Sequence, residues 1–244
     1  MTIESPVRAA PGVGRMTVTR RAVEQIKAMI ADGTLHPGQR LPTERELAAG
    51  MGLSRSSMRE AIRVLTTLGV LEARHGAGVY VTELRPRDLL EPFSVLAEVG
   101  RGHTLLEVLQ VRRIVEPAAT ALAAVRATDA QLAELDGLLE DGRGCGAGEA
   151  AAADRAFHRA VAELAGNATL AALVDGLSSP ALGARLGRGE ADEEEWTARL
   201  REDHRRIHDA LLARDPDAAR AAATLHVLGL EERLRRRMAD APWL

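Results

Sequence analysis

Asp154 and His158 stand four residues apart in AAADRAFHRAVAELAGN, a spacing that sets both side chains on one face of a helix. His204 lies in EDHRRIHDALLARD and His226 in AAATLHVLGLEERL, two further stretches with helical periodicity. Three imidazoles and a carboxylate make a donor set suited to zinc, nickel, cobalt or manganese, with positions left open for water or a ligand oxygen. Spacing alone does not separate that reading from ordinary surface histidines, and His208, four residues beyond His204, is a rival ligand. Such a centre would either activate water or hold an organic acid by its carboxylate. Against the first stands the lack of any HExxH run or recognisable Ser/His/Asp or Cys/His pattern. For the second, Arg112 or Arg113 would complete the site by pairing with the acid; the competing reading leaves both solvated or bridged to Glu116. Asn167, following Gly166, reads as a helix cap or turn residue rather than a ligand contact.

Residues 38–82 carry a different chemistry. Thr43-Glu44-Arg45-Glu46 is a capping-box sequence just after Pro42, and it starts a short helix with Leu47 and Ala48 on the buried side. Gly50-Met51-Gly52-Leu53 reads as a turn. Ser54 then caps a second helix whose apolar residues Met58, Ile62 and Leu65 recur at spacings of four and three. Its first turn sets Arg55 and Arg59 on one face, with Ser56 and Ser57 between them. Arginine there forks onto guanine or pairs with phosphate, and a hydroxyl-rich helix N-terminus suits phosphate as well. With the Gly-containing hairpin that follows, the set reads as a winged helix-turn-helix presenting a recognition helix to a DNA major groove.

The elements that must position these groups follow from composition and periodicity. At 244 residues the chain fits two domains, and 46% apolar against 2% aromatic content leaves alanine and leucine to fill closely packed helices. Of 32 basic residues all but Lys27 are arginine, which with the alanine excess reflects codon usage in a GC-rich genome. The net charge of −3 argues against a protein that coats nucleic acid, yet residues 15–85 carry +4 and residues 86–244 carry −7. Three segments are expected: a flexible arm over 1–14, a DNA-binding domain over 15–84, and a helical domain over 85–244. Val23, Ile26 and Ile30 mark the first helix, ending near Gly33, and Arg85-Pro86-Arg87 reads as a linker. Beyond it the pattern predicts one helix over 88–99 and a long one over 105–125 with a kink at Pro117. Further helices are expected at 129–141, 149–165, 168–178, 192–213 and 215–239, separated by glycine-rich breaks at 142–148 and 183–189. The fold class is mainly α, with an antiparallel all-α bundle of six or seven helices behind the winged head. The single Cys145 cannot form an internal disulfide and reads as an inert loop thiol in a reducing compartment. No run approaches a membrane span and the N-terminus lacks a signal peptide's apolar core, so a soluble cytoplasmic protein with no membrane partner is expected.

LPTERELA followed by GLSRSSMREAIRVLTTLGVLEARHGAGVYV closely resembles the DNA-binding domain of GntR-type bacterial transcription regulators, over about residues 16–83. The resemblance implies base and phosphate contacts from Arg45, Arg55 and Arg59 and from the wing tip at His75 and Gly76, beside Ser54 and Ser56 at the helix start. LLEVLQVRRIVEPAATALAA, DRAFHRAVAELAGNATL and HRRIHDALLARDPDAARAAATLHV are similar to the FCD effector-binding domain of the FadR subfamily of these regulators. Many members bind a divalent metal through one Asp and three His, which fall here on Asp154, His158, His204 and His226; the family pattern prefers His204 to His208 and Arg112 to Arg113. What the resemblance implies is a homodimeric, ligand-responsive regulator that binds a short inverted-repeat operator in double-stranded DNA. Its effector would be a small carboxylate held at a metal, zinc first among those named. The rival readings are a metal-dependent enzyme acting on a small acid with an accessory DNA-binding module, and an architectural DNA-binding protein without a ligand.

Overall fold

A computed structural model of the chain describes residues 13–141, 147–178, 180–187 and 193–240. The first twelve residues of the expected arm and Cys145 lie outside the described residues. The chain divides into two compact units between Leu89 and Leu90.

In the first unit, helix α1 (Val13–Ala31) ends before Gly33, whose φ of +80° suits glycine. Helix α2 (Glu44–Gly50) opens on a complete capping box, with Thr43 accepting from the Glu46 amide and Glu46 accepting from the Thr43 amide. Helix α3 (Arg55–Thr67) is capped by Ser54 and buries Met58, Ala61, Ile62 and Leu65. These pack with Ile26, Leu35, Leu41 and Leu47 into the core of the head. Strands β1 (Leu71–Arg74) and β2 (Gly78–Val81) pair antiparallel, with Leu71 opposite Val81 and Arg74 opposite Gly78. Arg40 forms an isolated bridge to Tyr80, which ties the wing to the segment before α2.

Between the expected head and bundle, Pro86 of the Arg85-Pro86-Arg87 stretch opens helix α4 (Pro86–Leu90). The stretch 88–99 is not one helix. A 3-10 turn at Glu91–Phe93 separates α4 from α5 (Ser94–Val99), since Pro92 lacks the amide that a continuing α-helix needs.

The second unit continues with α6 (His103–Arg126), α7 (Asp129–Asp141), α8 (Ala147–Leu164), α9 (Ala168–Leu177), α10 (Pro180–Gly187), α11 (Glu193–Leu212) and α12 (Pro216–Asp240). Pro117 sits inside α6 without ending it. Asn167 caps α9, its side-chain oxygen accepting from the amides of Thr169 and Leu170. Helix α10 adds to the six or seven helices expected and replaces the glycine-rich break expected from 183. Leu182 and Leu186, four apart, are buried in one cluster with Trp196 and Leu230. Gly183 meets α8 so closely that a Cβ there would stand 2.7 Å from the Cβ of Ala151. Glycine here permits close helix packing rather than breaking a helix. Helices α6 and α12 pack along most of their length, Ala123 and Ala124 against Ala219 and Ala223 at one end and Arg113 against Glu231 at the other, so they run antiparallel.

Gly69 has a φ of +70°, and a Cβ added there would collide with the backbone carbonyl of Asp88. Gly69→Ala is expected to destabilise the head by about 1–3 kcal/mol. The check is amide hydrogen exchange, which should quicken across α3 and the wing while the α6 and α12 amides keep wild-type rates.

Candidate metal centre and nucleic-acid interface

Three helices of the second unit bring the four expected ligands together. Helix α8 supplies Asp154 and His158, α11 supplies His204, and α12 supplies His226; their ligand atoms all lie within 4.8 Å of one another. Nε2 of His158 and Nε2 of His226 are 2.9 Å apart, and Asp154 Oδ1 stands 3.1 Å from His204 Nε2. The same oxygen is 3.6 Å from His158 Nε2 and 3.8 Å from His226 Nε2. Donors bound to one ion at about 2.1 Å lie roughly 3.0–3.4 Å apart at cis-octahedral or tetrahedral angles, so the donor set fits a divalent metal. His208 points elsewhere: its Nε2 lies 3.1 Å from the carbonyl oxygen of Leu132.

Two carboxylates stand behind the imidazoles. Glu116 Oε2 on α6 is 3.7 Å from His158 Nδ1, and Asp203 Oδ2 on α11 is 3.6 Å from His226 Nδ1. Both Nε2 atoms are turned to the centre, with a carboxylate facing each Nδ1 beyond hydrogen-bond distance. Phe157 stacks on the His204 ring at 4.4 Å and 22°, limiting the motion of that imidazole. Sequence reasoning missed Asp203 and gave Glu116 only the part of an arginine partner. The available signal was helical spacing: Asp203 is one residue from His204, so it faces α12 while His204 faces α8.

Burial governs the charge states. It raises the Asp154 carboxyl, but the charges and hydrogen bonds of His158 and His204 outweigh it and hold the group well below the usual carboxylate range. Burial drives the His204 imidazole down to about 4 despite its hydrogen bond to Asp154, and it lowers His226 as well. Neutral imidazoles beside an ionised carboxylate are the ligand forms a metal requires.

Arg112 and Glu116, one turn apart on α6, form an ion pair with both side chains at most 3% exposed. The Glu116 carboxyl is held below its ordinary range because Arg112 and His158 together outweigh burial. Arg112 Nη2 has no hydrogen-bond partner among the described residues, an uncommon state for a buried guanidinium atom. Arg112 and Asp154 line one recess with Leu182, Leu186, Trp196 and Leu200. Arg113, the other arginine considered, is instead 43% exposed and pairs with Glu231 at 3.0 Å.

In the head, Arg45 and Arg55 are exposed on α2 and at the start of α3, and neither makes an ion pair among the described residues. Arg59 is also exposed but forks onto Glu44, with Nε and Nη2 each 3.0 Å from Oε2. That pair joins α2 to α3, and between exposed groups it is worth about 0–1 kcal/mol, little enough for a phosphate to displace. Ser54 Oγ is committed to capping, accepting from the Ser57 amide at 3.1 Å, while Ser56 remains exposed beside it. His75 and Gly76 occupy the exposed hairpin tip, Gly76 with a φ of +70°. Arg74 braces the wing by lying over the Tyr80 ring at 4.2 Å.

Residues 18–81 match the family described as bacterial regulatory proteins, gntR family, and residues 107–229 match the FCD domain. The HTH-type transcriptional regulator LutR of Bacillus subtilis is 32% identical over 84% of this chain and 95% of its own length. A putative L-lactate dehydrogenase operon regulatory protein of Escherichia coli is 28% identical over 87% of this chain and 84% of its own. Among solved structures, a GntR protein of Streptococcus agalactiae is similar with a TM-score of 0.61 and 26% identity, covering 88% of this chain and 99% of that one. No described helix is long and apolar enough to cross a membrane.

The His204 shift has a pH signature. An unfolded histidine takes its proton near 6.5 and the folded one only near 4, so the unfolded state binds the extra proton in between. Stability of the metal-free protein is therefore full above pH 6.5 and falls by up to about 3 kcal/mol as pH drops towards 4. Urea unfolding across that range checks this, and in His204→Gln the slope should flatten.

Proposed function

Since the chain belongs to the GntR family of bacterial regulatory proteins and carries an FCD domain, we propose that it is a repressor whose hold on DNA is released by a small organic acid. Its families and relatives are transcription regulators, which removes the enzyme reading. The observation that carries the proposal is the ligand cluster opening beside a buried arginine with a spare donor. Asp154, His158, His204 and His226 hold a divalent ion, zinc by preference, with nickel, cobalt or manganese accepted by the same donors. When bound, the ion supplies positive charge and open coordination positions for a carboxylate oxygen. Arg112 Nη2 takes the acid's second oxygen and fixes its orientation, while Glu116 holds the guanidinium in place. The tie of one relative to an L-lactate dehydrogenase operon supports a hydroxy acid.

In the head, the N-terminus of α3 enters the major groove. Arg55 and Ser56 reach bases or phosphates, Arg45 and Arg59 reach the backbone, and the wing tip at His75 and Gly76 follows the flanking groove. One such head reads too few base pairs for useful discrimination, so two copies bind a short inverted repeat at about 1–3 kcal/mol per correct base pair. Effector binding shifts the spacing of the heads, and a coupling of about 1–3 kcal/mol changes operator affinity from several-fold to about a hundredfold.

Fragmented genomic DNA retained by the purified, metal-loaded protein tests the proposal. A few sharp peaks sharing an inverted repeat are expected, and diffuse retention in the presence and absence of candidate acids would overturn it. Arg55→Ala should lose at least about tenfold in operator affinity with metal content unchanged. His158→Ala combined with His226→Ala should leave no metal after dialysis, as measured by elemental analysis; undiminished metal would remove these residues from the ligand set.

A further inference from the structure

Beyond β1 and β2 the wing has a third edge. Leu41 donates its amide to the Val79 carbonyl at 2.8 Å, and Val81 donates to the Gln39 carbonyl at 2.9 Å. Arg40 therefore stands opposite Tyr80 on the side of β2 that β1 leaves open. Side chains alternate between the two faces of such a sheet. Leu41, Leu71 and Val81 turn into the core of the head, which sends Arg40, Arg74, Gly78 and Tyr80 to the outer face. There Gly78 lies between two arginines. Arg74 is its register partner on β1, and the Arg40 guanidinium occupies the space over it from the other edge. A Cβ on Gly78 would stand 2.8 Å from Arg40 Nε and 3.3 Å from Arg40 Nη2, and the φ of +112° suits glycine independently.

The two arginines differ in their charge partners. Arg74 pairs with Glu72 and lies over the Tyr80 ring, so its charge is matched on the wing itself. Arg40 is exposed and makes no side-chain hydrogen bond or ion pair among the described residues. Its side chain runs along β2 from Tyr80 to Gly78, two residues beyond the hairpin tip at His75 and Gly76. A planar cation with five donors, seated beside that tip without a carboxylate of its own, matches the geometry of a phosphate. We propose that Arg40 contacts a phosphate of the DNA backbone beside the groove that the wing tip follows, with Gly78 as the seat that gives its guanidinium room. The side chain lies along the face of the wing rather than at its tip, so it positions the wing without reading sequence. The inference rests on the regulator reading, which supplies the DNA.

The salt dependence of DNA binding by the full, metal-loaded chain tests this, because each phosphate contact adds about one to the slope of log affinity against log salt. Arg40→Met keeps the aliphatic stem over Gly78 and removes the charge. It should weaken binding to the operator and to an unrelated duplex by the same factor and make the slope shallower by about one, with amide exchange in β1 and β2 unchanged. Arg40→Lys should restore most of the slope, which a guanidinium serving only to brace the wing would not do. An unchanged slope in Arg40→Met overturns the assignment whatever the affinity does. So does a loss confined to the operator, which marks a base contact. If the parent selects an inverted repeat and the Arg40→Met slope is unchanged, Arg40 falls as a contact and the regulator reading stands. If the parent binds every duplex alike and the slope still drops in Arg40→Met, the phosphate contact stands and the regulator reading falls. A parent that binds no duplex overturns both.

Discussion

Removing an aspartate, a glutamate, an arginine and three imidazoles from water into a core of alanine and leucine is costly unless each polar atom finds a partner, and the second unit is arranged around that requirement. Asp154 stays ionised because two histidines address it, and Glu116 stays ionised because Arg112 and His158 do. His204 and His226 stay neutral because burial outweighs the same carboxylates. Arg112 Nη2, without a hydrogen-bond partner among the described residues, belongs to a residue that lines the recess beside Asp154.

Four helices must converge for this, and small residues allow it. Ala123, Ala124, Ala219 and Ala223 let α6 and α12 approach, and Gly183 lets α10 lie on α8 at Ala151. Alanine-rich contacts carry little hydrophobic stabilisation each, so the larger side chains are gathered in clusters around Leu109, Trp196 and Phe157. The inner face of helix α6 then holds Arg112 and Glu116 in the polar network.

The head works on a simpler principle. Capping at Thr43 and Ser54 fixes where α2 and α3 begin, and Met58, Ile62 and Leu65 fix which side of α3 faces the core. Arg55 and Ser56 are then left outside at a helix start with free amides. The Arg59–Glu44 pair is exposed, so it orients the arginine while leaving it free to exchange partners.

Local signals carried much of this and stopped at identifiable places. Caps, turns and apolar periodicity are properties of short segments, so α2, α3, the wing and most bundle helices were legible from residue order. The Asp154–His158 pair was legible too, because one helix sets its geometry. Helix α10 was not, because glycine at 183 reads as a break until Ala151 is seen against it. The helix expected over 88–99 was misread for the opposite reason, since Pro92 outweighed a good apolar pattern. The choice between His204 and His208, and between Arg112 and Arg113, could not follow from periodicity: each pair lies on one helix, and its neighbours decide which member faces the centre, His208 being as buried as His204 but turned to Leu132. By itself the sequence determined the helices, their caps and the residue types able to bind a metal or a phosphate, because those depend on interactions within a few residues. Only the tertiary structure decided which histidines share a centre, which carboxylates stand behind them and which arginine keeps a donor to spare, because burial and distance across α6, α8, α11 and α12 set those charges and contacts.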